Sequence, residues 1–501
     1  MSSPSLLRHR LALQIACALG IVGLAPSGLA ATIDPGLREQ AAAAGTVDVL
    51  IVMQAKAPRP SRAAGVDYLE HRRALVAGLR ATAEQSQAPL RAWLDAQHVD
   101  YRAYWAVNTI AASLTPAQID AVGAQEGVAR VASNAPVALS RPDAELDVPS
   151  LPMVPMVPMA IEWGVNKIRA PEVWAAGIRG QNVVISGQDT GYQWDHPAIK
   201  AKYRGWNGTA ASHDYNWHDA IHATGSSCGA NALAPCDDNS HGTHTMGTMV
   251  GDDGAANQIG VAPDARWVGC RNMNAGNGTP ATYIECTQWF IAPTDMTDGS
   301  PDSDRAPDIV NNSWGCVVEE GCTTGLEIRE AIENIVEAGI LFVAAAGNDG
   351  SACSTIGDPP AIYDIVFTVG GTASTNTMYA GSGRGPVAGL ASVKPDVIAP
   401  GQSVRSSVRG GGYSSFTGTS MASPHVAGAA ALLMSVNASL KGNPQRVAEI
   451  LRSTAVPLTS TTQVCGGIPS TVFPNPVQGH GQIDVYAAFL VAEKIFANGA
   501  D

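Results

Sequence analysis

The sequence predicts an α/β protein, in which a large domain built on a parallel sheet with helices on both faces follows a small α+β domain. Three observations support this division. The chain has 501 residues, too many for one typical domain. Apolar strands and helical stretches alternate from Trp163 onward, which is typical of a parallel sheet. Residues 31–140 carry ten basic and ten acidic side chains, whereas residues 141–501 carry 19 basic and 34 acidic ones. An N-terminal part without net charge therefore precedes an acidic part.

The first thirty residues have the pattern of a secretory signal. Arg8 and Arg10 precede an almost wholly apolar stretch, Leu11 to Ala25, and small residues follow up to Ala30. A membrane anchor is the alternative, but the apolar stretch is shorter than the ~20 residues that a span needs. We therefore expect residues 1–30 to be a signal peptide and the protein to be secreted, extracellular or periplasmic, with no membrane span after signal removal. The net charge of −13 argues against a nucleic-acid partner.

Residues 31–140 alternate strand and helix patterns in the order β-α-β-α-β. The predicted elements are a strand at Val47–Met53, a helix over 68–98 that is broken or kinked near Pro89, a strand over 101–113, a helix beginning at Thr115-Pro116, and a strand over 127–133. Residues 141–160 differ, because proline recurs every three residues in the segment LDVPSLPMVPMVPM, from Pro149 to Pro158. Proline blocks helices and central strands, so we expect an exposed, extended linker that carries the maturation site.

Residues 161–501 are expected to form the large domain. Its predicted strands are 183–185, 266–270, 308–312 and 340–345, and its predicted helices are 241–250, 283–291, 326–338 and 481–498. In such sheets the active site lies at the carboxyl ends of the strands.

Eight cysteines remain after the predicted signal, and export favours their pairing as disulfides. Connectivity does not follow from sequence. Short spacings favour Cys228–Cys236, Cys270–Cys286 and Cys316–Cys322, which leaves Cys353–Cys465. Zinc ligation is the alternative, but no pair has C-x-x-C spacing.

Three residues of the types needed for acyl transfer stand where loops meet regular elements. Asp189 comes directly at the end of the strand-like segment VVISGQ, His241 opens the predicted helix 241–250, and Ser420 opens a further helix rich in Ala and Leu. A serine hydroxyl becomes a good nucleophile when an imidazole takes its proton, and a carboxylate orients that imidazole. Singly, each residue has a simpler explanation, such as a turn aspartate or a helix N-cap serine. Together, in their sequence context, they indicate a catalytic site.

The motifs around these residues resemble the subtilisin-like serine peptidases, which have the chain order Asp, His, Ser. QDTG surrounds Asp189, NSHGTHTMGTMVG contains His241 and GTSMASPHVAG contains Ser420. The resemblance covers roughly residues 163–492. It is strongest to the bacillopeptidase F branch, through the segments EWGVNKIRAPEVW, HPAIKAKYRGW, ECTQWFIAPTD, APDIVNNSWG and CSTIGDPPAIY. Residues 40–135 look like the inhibitor-type propeptide of the same family.

The resemblance implies a role for each residue. Ser420 would be the nucleophile, His241 the general base and then acid, and Asp189 the orienting carboxylate. Asn348 would be the oxyanion-hole amide. The substrate-binding residues would be Ser313, Trp314, Gly315, Ala345, Gly347 and Gly357. Asp358 stands where the family often has a neutral residue, and it could favour Lys or Arg in the first substrate pocket or be a solvated loop acid.

No cofactor is required for this chemistry, and structural calcium is left open. Asp237-Asp238-Asn239 and Asp252-Asp253 could offer oxygen ligands or could be solvated loop charges. His244 and His425 are interpreted as packing residues. The expected partners are protein or peptide substrates and the chain's own propeptide, which would block the cleft until Ser420 cuts the chain within about 136–160.

Two other functions compete with an active, self-processing serine endopeptidase. A catalytically inactive binding protein on the same fold is disfavoured because all four catalytic positions hold competent residues. An α/β-hydrolase esterase would need a G-x-S-x-G elbow and the order Ser, Asp, His, whereas Ser420 lies in G-T-S-M-A.

Overall fold

The structure is a computed structural model that describes residues 31–60, 67–138, 143–144, 160–315 and 326–498. The N-terminal domain is one five-stranded sheet with the order β1-β5-β2-β4-β3, and helices pack on it. Its elements are β1 (Thr32–Ile33), α1 (Leu37–Ala44), β2 (Val47–Met53), α2 (Tyr68–Ala96), β3 (Tyr101–Tyr104), β4 (Thr109–Leu114), α3 (Pro116–Gly123) and β5 (Val128–Ser133).

Two sequence predictions for this domain need correction. The strand predicted over 101–113 is a hairpin, because β3 and β4 pair antiparallel and a turn ends at Asn108, whose φ is +49°. The helix predicted to break or kink near Pro89 runs unbroken through it. Leu79 and Leu90, on either side of the proline, are both buried, and this packing holds the two halves of α2 in one helix.

Short strands lie before and at the two ends of the predicted linker, β6 (Val137–Ala138) just before it, β7 (Asp143–Ala144) near its beginning and β8 (Ala160–Ile161) at its end. Most of the Pro142–Pro158 stretch lies outside the described residues, as does the predicted signal peptide.

The large domain contains a seven-stranded parallel sheet with the order β10-β12-β9-β14-β15-β16-β17. Its strands are β9 (Val184–Asp189), β10 (Trp217–Asp219), β11 (Asn257–Gln258), β12 (Arg266–Arg271), β13 (Asn277–Gly278), β14 (Ile309–Asn312), β15 (Leu341–Ala345), β16 (Phe367–Thr372), β17 (Val397–Pro400), β18 (Val404–Val408), β19 (Gly412–Thr417), β20 (Val464–Cys465) and β21 (Ile468–Pro469). Strands β11, β13 and β18 to β21 lie outside the seven-stranded sheet.

Helices cover both faces of this sheet, so the predicted fold class is confirmed. They are α4 (Trp163–Lys167), α5 (Ala170–Ala175), α6 (His241–Val250), α7 (Pro280–Ile291), α8 (Leu326–Glu337), α9 (Thr419–Val436), α10 (Pro444–Ser453) and α11 (Val485–Asn498). One apolar core lies between the sheet and α6, α9, α10 and α11, and a second lies under α7 and α8 on the other face. Sequence reasoning did not identify β10, β16, β17 or the β18–β19 hairpin.

The N-terminal domain packs against α7 and α8. Leu75 and Tyr104 share an apolar core with Trp289 and Ile332 of the large domain. The backbone N–H groups of the β3–β4 turn donate to Gln288 Oε1, and Asn334 Nδ2 donates to a carbonyl of the same turn. Three ion pairs lie around this contact, Lys56–Glu330, Arg59–Glu333 and Arg73–Asp304, and His71 Nε2 lies 2.8 Å from Glu337 Oε1.

Three of the four predicted disulfides are confirmed: Cys228–Cys236, Cys270–Cys286 and Cys353–Cys465. The predicted pair Cys316–Cys322 lies outside the described residues. Among the described helices, none combines the length and the apolar character that a membrane crossing requires.

Candidate active site

The candidate residues meet at the carboxyl edge of the parallel sheet. Asp189 is the last residue of β9, and Ser313 follows the end of the neighbouring strand β14. Asn348 lies three residues beyond the end of β15. His241 opens α6 and Ser420 is the second residue of α9, and both helices pack against one another and against this sheet. The sequence therefore brings five distant segments to one place.

His241 and Asp189 form a buried pair. The Nδ1 atom of His241 lies 2.7 Å from Oδ1 of Asp189, and each residue is only 1% exposed. The backbone N–H of Thr190 also donates to Asp189 Oδ1, at 2.7 Å. Burial lowers the pKa of His241, but the charge of Asp189 and its hydrogen bond, with the charge of Asp237, outweigh burial and leave that pKa above its ordinary value. The pair is therefore built to stabilise a charged imidazole.

Two glycines allow this approach of strand and helix. Gly191 has a φ of +106°, and a Cβ on it would overlap the carbonyl oxygen of Cys236. A Cβ on Gly242 would overlap the carbonyl oxygen of Gly191. Steric crowding therefore explains why the motifs have glycine after Asp189 and after His241.

The hydroxyl of Ser420 donates to the backbone oxygen of Ser313, at 2.8 Å. Ser313 Oγ in turn bonds to the carbonyl oxygen of Ser420 at 3.0 Å and to Ser423 Oγ at 2.9 Å. The Nε2 atom of His241 is buried and makes no hydrogen bond to any described residue. A turn of the Ser420 side chain away from Ser313 would be needed for its hydroxyl to bond to that nitrogen.

Among the described residues, the side chain of Asn348 has hydrogen-bond partners at its Oδ1 end only. Its Oδ1 accepts hydrogen bonds from the N–H of Thr419 at 2.9 Å and from Thr419 Oγ1 at 3.1 Å. A backbone N–H can only donate, so the oxygen of this amide must face Thr419. The Nδ2 donor is consequently at the other end of the amide, and no described residue accepts a hydrogen bond from it.

The predicted pocket residues lie around the same edge. Ser313 and Trp314 are buried, and Trp314 stacks on Tyr283 with ring centroids 3.7 Å apart. Ala345 is buried at the end of β15 and Gly347, with a φ of +88°, follows it. Gly357 is exposed, with no heavy atom within 4 Å of where its Cβ would be.

Asp358 is half-buried and lies beside Gly315. A Cβ built on Gly315 would be 3.2 Å from the Cβ of Asp358 and 3.6 Å from its Oδ2. The structure therefore places an acidic side chain against one of the predicted pocket segments.

A short strand pair beside the candidate site was missed by sequence reasoning. Asn277–Gly278 pairs antiparallel with Val137–Ala138 from the end of the N-terminal region. Gly278 packs against Tyr283, which stacks on Trp314 beside Ser313, so this strand pair adjoins the candidate site. A two-residue strand has no periodicity, so the sequence carries no signal for it.

The carboxylates considered as calcium ligands have protein partners. Asp238 pairs with Arg271, and Asp252 pairs with Arg179. Asp253 accepts hydrogen bonds from two backbone N–H groups and from Asn257. In the described part of the chain, no group of three or more His, Cys, Asp or Glu side chains is arranged so that it could hold a metal ion.

The two other histidines of the motifs are packing residues in the structure. His244 Nε2 lies 2.9 Å from the carbonyl oxygen of Val404, its ring stacks on Phe416, and burial lowers its pKa to about 3. His425 Nδ1 lies 2.8 Å from the carbonyl oxygen of Met421, and burial lowers its pKa to about 4. Both imidazoles are therefore neutral near pH 7.

Comparison with known proteins gives the class. The family model described as "Subtilase family" matches residues 180–480. The chain is 35% identical over 451 residues to bacillopeptidase F of Bacillus subtilis (strain 168), an alignment that covers 87% of this chain and 30% of that protein. It is 31% identical to subtilisin E of the same strain, over 55% of this chain and 61% of that protein. It is 30% identical to a subtilisin of Bacillus pumilus, over 60% of this chain and 94% of that protein.

The chain belongs to the subtilase family. The resemblance to bacillopeptidase F indicated by the sequence motifs is confirmed, although this chain spans less than a third of that protein's length.

Proposed function

We propose that this protein hydrolyses peptide bonds in protein substrates through an acyl-enzyme intermediate on Ser420. The observation that carries the proposal is the buried His241–Asp189 pair, which lies at the sheet edge where Ser420 opens α9. The Subtilase family match and the relatives named above support it.

His241 would act as base and then as acid. Its Nε2 would take the proton of Ser420 Oγ as that oxygen attacks the substrate carbonyl carbon. Asp189, bonded to Nδ1, would hold the correct tautomer and stabilise the imidazolium. The proton would then pass to the leaving amine, and water would release the acyl group by the same steps. No cofactor takes part in this chemistry.

Two donors would stabilise the tetrahedral oxyanion, Asn348 Nδ2 and the backbone N–H of Ser420. Both lie at the beginning of α9, where the helix dipole also favours negative charge. Loss of such a side-chain donor lowers kcat by about 10²–10³-fold, a magnitude known from subtilisin.

The test compares purified wild type with Ser420→Ala in casein hydrolysis. The variant should lose about 10⁶-fold in kcat, the scale known for subtilisin. Ser435→Ala, at the other end of the same helix, is the matched control and should keep wild-type activity. Equal hydrolysis by wild type and Ser420→Ala would contradict the proposed nucleophile.

We also propose that the chain is a self-processing zymogen. The N-terminal domain docks on α7 and α8, and its end pairs with the strand Asn277–Gly278 beside the candidate site. These contacts suit an intramolecular inhibitor that Ser420 removes by cutting the chain. Intact-mass analysis should find Ser420→Ala at precursor size and wild type at mature size. Normal maturation of the pure variant would contradict self-cleavage.

We propose export because residues 1–30 resemble a signal peptide and because the three disulfides favour an oxidising compartment.

The proposed substrate preference concerns the first pocket. The position of Asp358 beside Gly315 favours Lys or Arg there. Cleavage-site profiling checks this preference, and a profile without enriched basic residues would contradict it.

A further inference from the structure

Asp237 is a buried carboxylate in the segment before α6. The sequence offers it as a calcium ligand or a solvated loop acid, but in the structure it is only 7% exposed. It bridges antiparallel to Gly191, directly after the Asp189-Thr190 segment. Its position is therefore between the two elements that carry the His241–Asp189 pair.

Both oxygens of Asp237 accept several hydrogen bonds. Oδ1 accepts from Thr190 Oγ1, Asn239 N and Ser240 N, each at 2.9 Å. Oδ2 accepts from Thr243 N at 3.0 Å and from Thr243 Oγ1 at 2.6 Å. All five partners donate and so favour the deprotonated carboxylate, although burial outweighs them and leaves the pKa of Asp237 above its ordinary value.

These hydrogen bonds join the end of β9 to the start of α6. Thr190 follows Asp189, while Ser240 and Thr243 stand on either side of His241. Thr190 Oγ1 also accepts from the N–H of Gly242, at 3.0 Å. One carboxylate therefore fixes the backbone on both sides of His241 relative to the strand end that presents Asp189.

The charges facing His241 come from several elements. Asp189 at the end of β9 and Asp237 before α6 both raise its pKa. His244 on α6 is neutral near pH 7, and burial keeps Tyr192 protonated. Arg271 of β12, which lies opposite Asp189 in the sheet register, forms ion pairs with Asp219 and Asp238.

We propose that Asp237 is a positioning residue for catalysis, which fixes His241 against Asp189 and adds negative charge that stabilises its imidazolium form. The proposal rests on the peptidase function proposed above. Asparagine at this position would keep one acceptor oxygen, but its NH₂ group would face a donor and the negative charge would be lost.

The test is the pH profile of kcat/KM for Asp237→Asn. The plateau should fall by about 10- to 100-fold, since a small misplacement of a catalytic group has effects of this order. The acid limb should move to lower pH, because without the Asp237 charge the imidazole stays neutral to lower pH. A lower melting temperature is also expected, so it is measured in parallel.

Asp308→Asn is the matched control. Asp308 is also a buried carboxylate that accepts a strand N–H, from Val184 at 2.9 Å, but it lies at the opposite, amino-terminal edge of the sheet. This variant should lose stability and keep the acid limb of wild type.

Thr243→Val tests the positioning role of Asp237 separately from its charge. It also provides a test of the proposal if Asp237→Asn does not fold. It removes one donor to Asp237 and keeps the carboxylate, so its rate should fall while its acid limb stays near that of wild type. The proposal would be overturned if the acid limb of the pH profile of Asp237→Asn coincided with that of wild type, or if both variants kept wild-type rates. Full activity of Ser420→Ala would instead overturn the peptidase function itself.

Discussion

Two histidine–carboxylate clusters in this molecule share their chemistry and differ in what surrounds them. His241 and Asp189 lie at the sheet edge, whereas His218 and His222 meet Glu285 where the N-terminal domain packs on α7. Tyr104 of the N-terminal domain donates to Glu285 Oε2 at 3.0 Å. Glu285 and the His241–Asp189 pair are buried, whereas His218 and His222 are partly buried, so burial separates the two clusters only in degree.

The second nitrogen of each imidazole makes the difference. In the interface cluster both nitrogens face oxygen atoms: His218 lies between Glu285 and Asp298, and His222 between Glu285 and Asn231. In the sheet-edge pair of His241 and Asp189, the Nε2 atom of His241 has no hydrogen-bond partner among the described residues. A carboxylate orients both kinds of imidazole, but only a nitrogen that is left unbonded can exchange a proton with a serine or a substrate.

Asp189→Asn tests this contrast most strongly. An amide at this position no longer fixes the tautomer of His241 or stabilises its charge, so kcat should fall by about 10⁴-fold. Steady-state hydrolysis of a peptide substrate measures the loss, and circular dichroism checks the fold. A loss below tenfold would mean that the carboxylate contributes no more here than in the interface cluster.

Glu285→Gln should show the reverse pattern, with stability lost and activity kept. Burial raises the pKa of Glu285, but the hydrogen bonds and charges of His218 and His222 outweigh it and lower that pKa to about 2. Removing one partner of a buried ion pair costs about 3–5 kcal/mol. Thermal unfolding measures this loss, while kcat/KM of the matured, folded variant should stay within a few-fold of wild type. A large fall in kcat/KM would give the interface cluster a part in catalysis.

The pH dependence of the stability that the interface cluster (His218, His222 and Glu285) contributes follows from the shifted pKa values of Glu285 and His222. The Glu285 contribution to stability is fully present above its ordinary pKa of 4.5 and is lost as pH falls through about 2. Burial lowers the pKa of His222, but Glu285 outweighs burial and raises it, so the His222 contribution is present below 6.5 and lost as pH rises through the raised value. Both contributions are complete between 4.5 and 6.5.

The smallest expected effect is on the acid limb of the pH profile of kcat/KM, the range in which activity falls as the pH is lowered. The base must be neutral, and the pKa of His241 is raised, so half-maximal kcat/KM should fall above pH 6.5. Rates measured from pH 5 to 9 check this, with Glu285→Gln as the control that should give the same limb. A limb below pH 6.5 would show that burial outweighs Asp189 at His241.

The sequence predicted the sheet-edge pair because its signals are local. Each of Asp189, His241 and Ser420 stands in a short motif at the end of a recognisable element, and parallel strands bring such ends together. The same reasoning gave the fold class and most strands with apolar runs. It did not give β10 or β17, which are only three and four residues long.

The interface cluster could not be predicted in this way. Tyr104, His218 and Glu285 come from a hairpin, an edge strand and a helix, and no motif links them. Their contact depends on how two domains pack. Asp237 shows a third case, since the sequence indicates an acidic residue beside His241 but only the structure shows that its oxygens face inward.

The Cys353–Cys465 disulfide closes a covalent ring of chain that contains β16 to β19 and α9 with Ser420. Arg409 and Gly410, in the turn between β18 and β19, are exposed within this ring. A single nick by another protease molecule at this turn would leave both new ends attached through the disulfide. Ser420, the proposed nucleophile, would stay tethered to the rest of the domain, so one such cut would not by itself release a fragment.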